Sequence, residues 1–246
     1  MKQKQWIGLI TLIAACFALG GVTANVSLAA QGATGEITGR VLFKGTRPKL
    51  QVIHMKTDPE CERENQGRTV YRQDGEVNSN GTLPNVFLFI KSGTGHRHFA
   101  TPKTPVVLDQ QGCIFVPHVL GIMVGQTLKV LNSDFTTHNV QVTPKHNPSW
   151  NQSQPPGAAP FYKKFVHPEI MIPMICNVHP WMKAYLGVVD NPFYDVTGTE
   201  GKFDIKGVPA GEYTIEAWTA TFGTQQKTVH VRANQATKLD FAFHSK

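Results

Sequence analysis

The 246-residue sequence predicts an all-β protein built from β-sandwiches. After the first thirty residues, no segment keeps a helical hydrophobic period over three turns. Instead, short runs rich in β-branched and aromatic residues recur at nearly even spacing, which is typical of sandwiches. Glycine and proline separate most of these runs, where turns need their backbone conformations. The composition, 41% hydrophobic and 17% charged, is that of a globular protein.

The N-terminus has the three parts of a secretory signal peptide, which we place at residues 1–30. A basic start is followed by an apolar run over 7–22, and then by small residues at Ala29 and Ala30 that suit cleavage. A retained anchor is the alternative, but the run is short for a membrane span. The residues ending at Cys16 also resemble a bacterial lipoprotein box, and only lipidation there would attach the protein to a membrane. We expect simple cleavage and a periplasmic or secreted protein.

The strands are predicted in chain order from the β-rich runs and their flanking turns. The N-terminal part has strands at 36–43 and 85–91, with a polar, irregular stretch over 58–81 between them. The middle part has strands at 105–109, 113–117, 126–131, 138–142, 170–176 and 186–190, and a long loop over 144–160. The C-terminal part has strands at 202–205, 211–218, 227–231 and 238–243.

Charge excludes one class of partner. The formal net charge of +7 falls to +5 once Lys2 and Lys4 leave with the signal segment. No block of five like charges and no basic patch interleaved with aromatic residues is present, so we expect no nucleic-acid binding.

Four residues carry the chemistry of the middle part. Cys176, His179 and Met182 place a thiolate, an imidazole and a thioether in one short segment, each separated from the next by two residues. A second imidazole, His138, lies upstream after an apolar run. Two histidines, a thiolate and a weak axial thioether are the ligands of a type 1 copper electron-transfer site. A structural zinc site is the nearest alternative, but it draws four ligands from cysteine and histidine and does not normally use a thioether.

These residues resemble the copper-binding motif of the cupredoxins, the family of plastocyanin and azurin, and the short ligand loop is most similar to that of amicyanin. The resemblance implies one type 1 copper per chain, held by His138, Cys176, His179 and Met182. Asn139 follows the first histidine, as in those proteins, where its amide ties the two ligand loops together. The resemblance also implies that His179 lies near the surface as the electron port. Pro180 and Trp181 would then form an apolar docking patch.

The last fifty residues resemble a second family. The run Thr199 to Ile205, followed by Val208 to Ile215 with glycines at its turns, is similar to the carboxypeptidase regulatory-like, or transthyretin-like, module. Such a module begins with strands similar to 35–41 and 86–90, which here precede the copper motif.

We therefore predict a cupredoxin Greek-key sandwich inserted into a discontinuous regulatory-like sandwich. The cupredoxin domain would span 101–192, and the regulatory-like domain would combine 35–100 with 193–246. A single larger cupredoxin with strand extensions is the alternative.

Export also predicts the state of each of the four cysteines. Cys16 lies in the signal segment and Cys176 must stay free to bind copper, which leaves Cys61 and Cys113 in an oxidising compartment. Two such thiols tend to pair, so a Cys61–Cys113 disulfide is predicted. The alternative, Cys113 as a further ligand beside His118, lacks a partner that would complete a site.

The leading functional hypothesis is an exported type 1 copper protein that carries single electrons between redox proteins, such as a c-type cytochrome, a dehydrogenase or an oxidase. Copper sequestration or delivery without redox turnover is a second hypothesis. A structural module of the cell envelope is a third. An enzyme is not expected, because no second copper motif or substrate-side catalytic group is visible in the sequence.

Overall fold

The computed structural model describes residues 33–245, so the predicted signal segment and Cys16 lie outside the described residues. The regular secondary structure of the described chain is β-strand except for one short helix, which confirms the all-β prediction. Its residues belong to one compact unit. No helix within the described chain is long and apolar enough to cross a membrane.

The strands are numbered in chain order. The first part of the chain contains β1 (Thr34–Lys44), helix α1 (Pro59–Glu64) and β2 (Phe87–Ser92). The middle part contains β3 (Val106–Gln110), β4 (Phe115–Val116), β5 (Val119–Met123), β6 (Thr127–Asn132), β7 (His138–Val142), β8 (Trp150–Gln154), β9 (Phe161–Lys164), β10 (Glu169–Ile175) and β11 (Lys183–Val189). The last part contains β12 (Tyr194–Val196), β13 (Lys202–Pro209), β14 (Gly211–Thr219), β15 (Gly223–Val231), β16 (Ala236–Lys238) and β17 (Phe241–His244).

Strands β3 to β11 form a two-sheet sandwich, here called the middle sandwich. One sheet has the order β5-β11-β10-β7-β8 and the other has the order β4-β3-β6-β9. Leucine, isoleucine, valine and phenylalanine side chains from both sheets fill a buried core between them. This architecture is consistent with a cupredoxin-like sandwich, and it brings the start of β7 beside the loop that joins β10 to β11.

The first and last parts of the chain together form a second sandwich, here called the outer sandwich. Strand β1 pairs with β13, β16 and β17, and β2 lies between β12 and β14 in the facing sheet. A separate buried core lies between these two sheets. The N-terminal strands thus pair with C-terminal strands across the whole middle part, while the domain boundaries at 100 and 192 stay a prediction.

Strands β5 and β11 serve two cores at once. In β11, Ala184, Leu186 and Val188 face the core of the middle sandwich. The alternate residues Tyr185 and Val189 pack instead against Phe87 and Phe89 of β2. Residues on both faces are therefore buried, and such strands are apolar without alternation.

Several parts of the chain differ from the strand predictions, and β9 and β12 fall outside every predicted strand. Strand β5 was not predicted, because its five consecutive buried residues show no period of two. Strand β8 lies inside the predicted loop at 144–160, where its polar side chains gave no apolar pattern. Helix α1 lies inside the stretch that we predicted to be irregular, and its six residues are too few for a visible helical period.

Candidate metal centre

The loop between β10 and β11 is a closed turn that carries three of the predicted ligands. The Cys176 amide donates to the Met182 carbonyl at 3.3 Å, and the Met182 amide donates to the His179 carbonyl at 2.9 Å. The His179 amide also points at the Cys176 sulfur, 3.4 Å away. The backbone of the loop therefore fixes the spacing of its side chains before any metal binds.

His138 is the first residue of β7, which pairs antiparallel with β10. This pairing places the start of β7 opposite the loop. The Nδ1 atoms of His138 and His179 face one another at 2.8 Å. The Cys176 sulfur and one nitrogen from each of these histidines all lie within 4.8 Å of one another. The structure thus brings His138, Cys176 and His179 into one cluster.

The cluster is closed to solvent. His138 and Met182 are fully buried, and Cys176 and His179 are each 2% exposed. Met182 belongs to the same apolar core as Cys176. A soft sulfur donor with two imidazole donors is a set that suits copper in both oxidation states. The residues present therefore fit a copper ion. Among the residues that the structure describes, no fourth nitrogen or thiolate lies in the cluster to make the closed set of a structural zinc site.

Asn139 ties the strand to the loop. Its side-chain oxygen accepts from the Asn177 amide at 2.8 Å and lies 3.4 Å from the Cys176 sulfur. Its side-chain nitrogen donates to the carbonyl oxygens of the Asn151 and Asn177 side chains, each at 2.7 Å. These contacts join the start of β7 to the ligand loop and place the Asn139 amide oxygen beside the Cys176 sulfur.

The electrostatics of the cluster favour an ionised thiol. Burial raises the pKa of Cys176, but hydrogen bonds from His138 and His179 outweigh it and lower that pKa to about 6. Burial lowers the pKa of His138, but the hydrogen bonds and charges of Asp134 and Cys176 outweigh it and raise that pKa to about 9. The pKa of His179 is also raised: burial opposes the charged ring, while Cys176 and Asp58 favour it more strongly. A thiolate, the form that binds metals, is therefore favoured at neutral pH.

The sequence did not indicate two carboxylates that contact the imidazoles of the predicted ligands. Asp134 Oδ2 lies 2.8 Å from His138 Nε2, and Asp58 Oδ2 lies 2.8 Å from His179 Nε2. Asp58 is the N-cap of α1 and precedes a proline at the start of that helix. Aspartate before proline and acidic residues is a helix-start signal. That signal could have indicated α1, but not the place where α1 docks.

Residues 53–74, here called the covering segment, close the cluster from outside. The structure pairs Cys61 of this segment with Cys113, and both cysteines are fully buried. The Cys61 sulfur lies 3.7 Å from His179 Nε2. Trp181 also packs on this disulfide, and its indole N–H donates to the Cys113 carbonyl at 2.9 Å.

One expectation about the surface differs from the structure. His179 was expected near the surface, but the covering segment buries it because Asp58 and Cys61 lie against its outer edge. Trp181 is half-buried, its ring lies 5.0 Å from the His179 ring and its N–H donates to the Cys113 carbonyl, while its role in docking stays a prediction. Pro180 is exposed.

His118 lies outside the cluster. Its Nε2 is 3.0 Å from Asp74 Oδ1, and its Nδ1 is 2.9 Å from the Lys183 carbonyl. Its ring also packs edge-on against Tyr185. His118 therefore anchors the covering segment to β11 through Asp74, and the alternative that paired it with Cys113 as a ligand is wrong, because Cys113 is in the disulfide.

Of the comparisons with known proteins, the search of solved structures gives partial matches. A scan of protein-family models and a search of curated proteins find no match to the chain. A copper-containing nitrite reductase from Thermus scotoductus SA-01 is similar at a TM-score of 0.33 and 23% identity, over 41% of this chain and 26% of the reductase chain. A mutant amicyanin in its Cu(I) form gives a TM-score of 0.30 and 18% identity, over 39% of this chain and 96% of that one.

A purple cupredoxin from Nitrosopumilus maritimus gives a TM-score of 0.27 and 24% identity, over 30% of this chain and 81% of that one. The chain spans about a quarter of the nitrite reductase, the first of these structures. At these TM-scores and identities, the similarity does not assign the chain to a family.

Proposed function

We propose that the protein is an exported type 1 copper protein that carries single electrons. One observation carries the proposal: His138, Cys176 and His179 converge in a buried cluster whose two Nδ1 atoms face each other. Copper, when bound there, supplies a one-electron couple. A soft thiolate with two imidazoles accommodates both of its oxidation states.

The protein's own contribution is to hold the donor atoms still. Backbone hydrogen bonds fix the loop from Cys176 to Met182, and Asn139 fixes the Cys176 sulfur. Burial excludes water from the donors. Donors that keep their positions in both oxidation states make the structural change on electron transfer small.

The closed cluster favours an electron carrier over a copper-handling protein. A protein that delivers copper must expose ligands to the receiving partner, whereas Cys176 and His179 are each 2% exposed beneath a segment held by a disulfide. Electrons can cross such a covering, but a copper ion leaves only if the covering opens.

Two features support export. Disulfides persist in oxidising compartments, and the Cys61–Cys113 disulfide is buried against the proposed centre. The N-terminal sequence pattern, which lies outside the described residues, fits the same localisation.

Two exposed apolar side chains flank the covering segment. Phe135 is 74% exposed and Val178 is 53% exposed. Each lies one residue from a side chain that contacts Asp58, namely Thr136 and His179. We propose this face, with the exposed Pro180, for transient docking of a redox protein.

Visible absorption of the copper-loaded protein tests the proposal. We expect one copper per chain and intense colour in the Cu(II) form, because charge transfer from the Cys176 thiolate to copper produces it. Cys176→Ser should abolish the colour, and His138→Gln should strongly weaken copper binding.

His118→Gln is the matched control, because His118 is also buried beside a carboxylate but lies outside the cluster. It should leave the colour unchanged. Unaltered absorption in Cys176→Ser would disprove the assignment.

A further inference from the structure

Each imidazole of the proposed centre has a carboxylate at its outer nitrogen. Asp134 contacts His138, Asp58 contacts His179, and both oxygen–nitrogen distances are 2.8 Å. The Asp134 side chain is 2% exposed and the Asp58 side chain is 20% exposed. With Nε2 facing a carboxylate, each ring is held with Nδ1 directed into the cluster.

The backbone amides of the two disulfide-bonded cysteines bind the two carboxylates. The Cys113 amide donates to Asp134 at 2.8 Å, and the Cys61 amide donates to Asp58 at 3.1 Å. The Cys61–Cys113 disulfide then joins the two anchoring segments. The positions of both carboxylates, and through them of both imidazoles, therefore depend on one rigid connection outside the ligand loop.

We propose that Asp58 and Asp134 are positioning residues that fix the tautomer of both copper-ligand histidines and set the balance between the oxidised and the reduced metal. The inference rests on the proposed function. It adds two residues from outside the ligand loop and assigns them an electronic role.

The physical reason is charge. A carboxylate bonded to the outer nitrogen of a ligand histidine raises the basicity of that ligand and fixes its ring. Cu(II) carries one more positive charge than Cu(I), so nearby anions favour the oxidised state. Interactions between buried charges are screened much less than those between exposed charges. Two carboxylates at the rim of a dry cluster should therefore lower the reduction potential.

Asp58→Asn and Asp134→Asn test this inference. Asparagine caps a helix about as well as aspartate, so α1 should keep its start in Asp58→Asn. The variant loses the negative charge and one of the two acceptor oxygens, so His179 loses an ionic partner. Loss of such a partner typically weakens metal binding 10–100-fold.

We expect the loss to fall mainly on Cu(II), so the reduction potential should rise. Each tenfold loss of Cu(II) affinity relative to Cu(I) raises it by about 59 mV.

Asp74→Asn is the matched control. Asp74 also faces a buried histidine, with its Oδ1 3.0 Å from His118 Nε2, but His118 is not in the cluster. This variant removes the same charge from the same covering segment without touching a proposed ligand. Its reduction potential should stay near that of the wild type.

A second measurement separates positioning from general electrostatics. In the diamagnetic Cu(I) form, NMR of nitrogen-15 imidazoles should show protons on Nε2 of His138 and His179 that exchange slowly with solvent. The His179 proton should exchange faster in Asp58→Asn, and both should be unchanged in Asp74→Asn. Asp134 also accepts from two backbone amides, so Asp134→Asn could fail to fold. Asp58→Asn alone is then sufficient for the test.

The outcomes distinguish the two proposals. A blue wild type whose potential moves equally in Asp58→Asn and Asp74→Asn, or in neither, overturns this inference and leaves the proposed function standing. Histidines that carry the proton on Nδ1 would overturn it too. A wild type without blue colour overturns both.

Discussion

At the scale of single residues, the cluster brings together one thiol and two imidazoles that shift the pKa values of one another. The low pKa of Cys176 and the raised pKa values of His138 and His179 have one shared cause. The thiolate stabilises the protonated imidazoles, and the imidazoles stabilise the thiolate. The sequence motif identified these three residues through their spacing and ligand type. It could not identify Asp58 and Asp134, because their role depends on where a helix and a loop dock.

The metal-free protein should show this coupling directly. We expect the Cys176 thiol to ionise near pH 6, as its lowered pKa implies. His138→Gln should raise that pKa, while His118→Gln should not change it. The measurement is the ultraviolet absorbance of the thiolate against pH, with Cys176→Ser as the blank.

The same pKa shifts determine how the stability of the metal-free protein changes with pH. The Cys176 pKa is lowered from 9.0, so its contribution to stability is complete above about pH 9 and is lost as pH falls through about 6. The His138 pKa is raised from 6.5, so its contribution is complete below about pH 6.5 and is lost as pH rises through about 9. A wild-type thiol that ionises only at pH 9 or above would contradict the coupling.

Met182 should affect the reduction potential of the copper centre without being required for copper binding. We expect Met182→Leu to keep copper and colour but to raise the reduction potential, because an electron donor is replaced by an apolar side chain. Met174→Leu is the matched control, since Met174 is also fully buried in the same core. Potentiometric titration followed by visible absorption measures both. Equal shifts in the two variants, or loss of copper from Met182→Leu, would argue against an axial thioether.

At the scale of elements, the covering segment decides how closed the centre is. Its sequence is polar, and only the short α1 gives it regular structure, so no hydrophobic pattern indicated that it docks. Individual contacts hold the covering segment, among them the disulfide to Cys113, the Asp58 contact with His179 and the Asp74 contact with His118. Such contacts between residues distant in sequence leave little trace in local sequence patterns.

Removing the disulfide should loosen this segment and weaken the protein. The Cys61–Cys113 link closes a span of 52 residues, for which loop entropy gives about 4 kcal/mol of stability. We expect the double variant Cys61→Ala, Cys113→Ala to lose about that much free energy of unfolding in denaturant titrations of the metal-free protein. It should also release copper faster to a Cu(I) chelator. Arg63→Ala, an exposed change on α1, is the control and should do neither.

A release rate unchanged by loss of the disulfide would mean that the covering segment does not control access to the centre.

At the scale of the whole molecule, the two sandwiches share a layer made by Phe87 and by strands β5 and β11. Gly121 and Gly187 are paired neighbours on these strands, and the Phe87 ring lies on both. A Cβ atom at Gly187 would lie 2.6 Å from that ring. Most strands of both sandwiches could be predicted from local patterns, but this shared layer could not, because nothing local links residue 87 to residue 187.

Gly187→Ala should therefore destabilise the protein. Overpacking a close contact typically costs about 1–3 kcal/mol, and here both the ring and the Met171 side chain would have to move. Gly198→Ala is the matched control, because an added Cβ there meets nothing within 4 Å. Thermal and denaturant unfolding should separate the two variants. A neutral Gly187→Ala would show that the sandwiches are not tightly packed at this layer.

X-ray absorption at the copper edge tests the central claim most directly. A preformed, buried centre predicts one short copper–sulfur bond and two copper–imidazole bonds in the oxidised protein. The reduced protein should keep the same ligands with little change in their distances, because the loop, Asn139 and the disulfide-anchored carboxylates hold the donors in place. An oxidised spectrum without a short sulfur bond, or a change of ligands on reduction, would contradict the account.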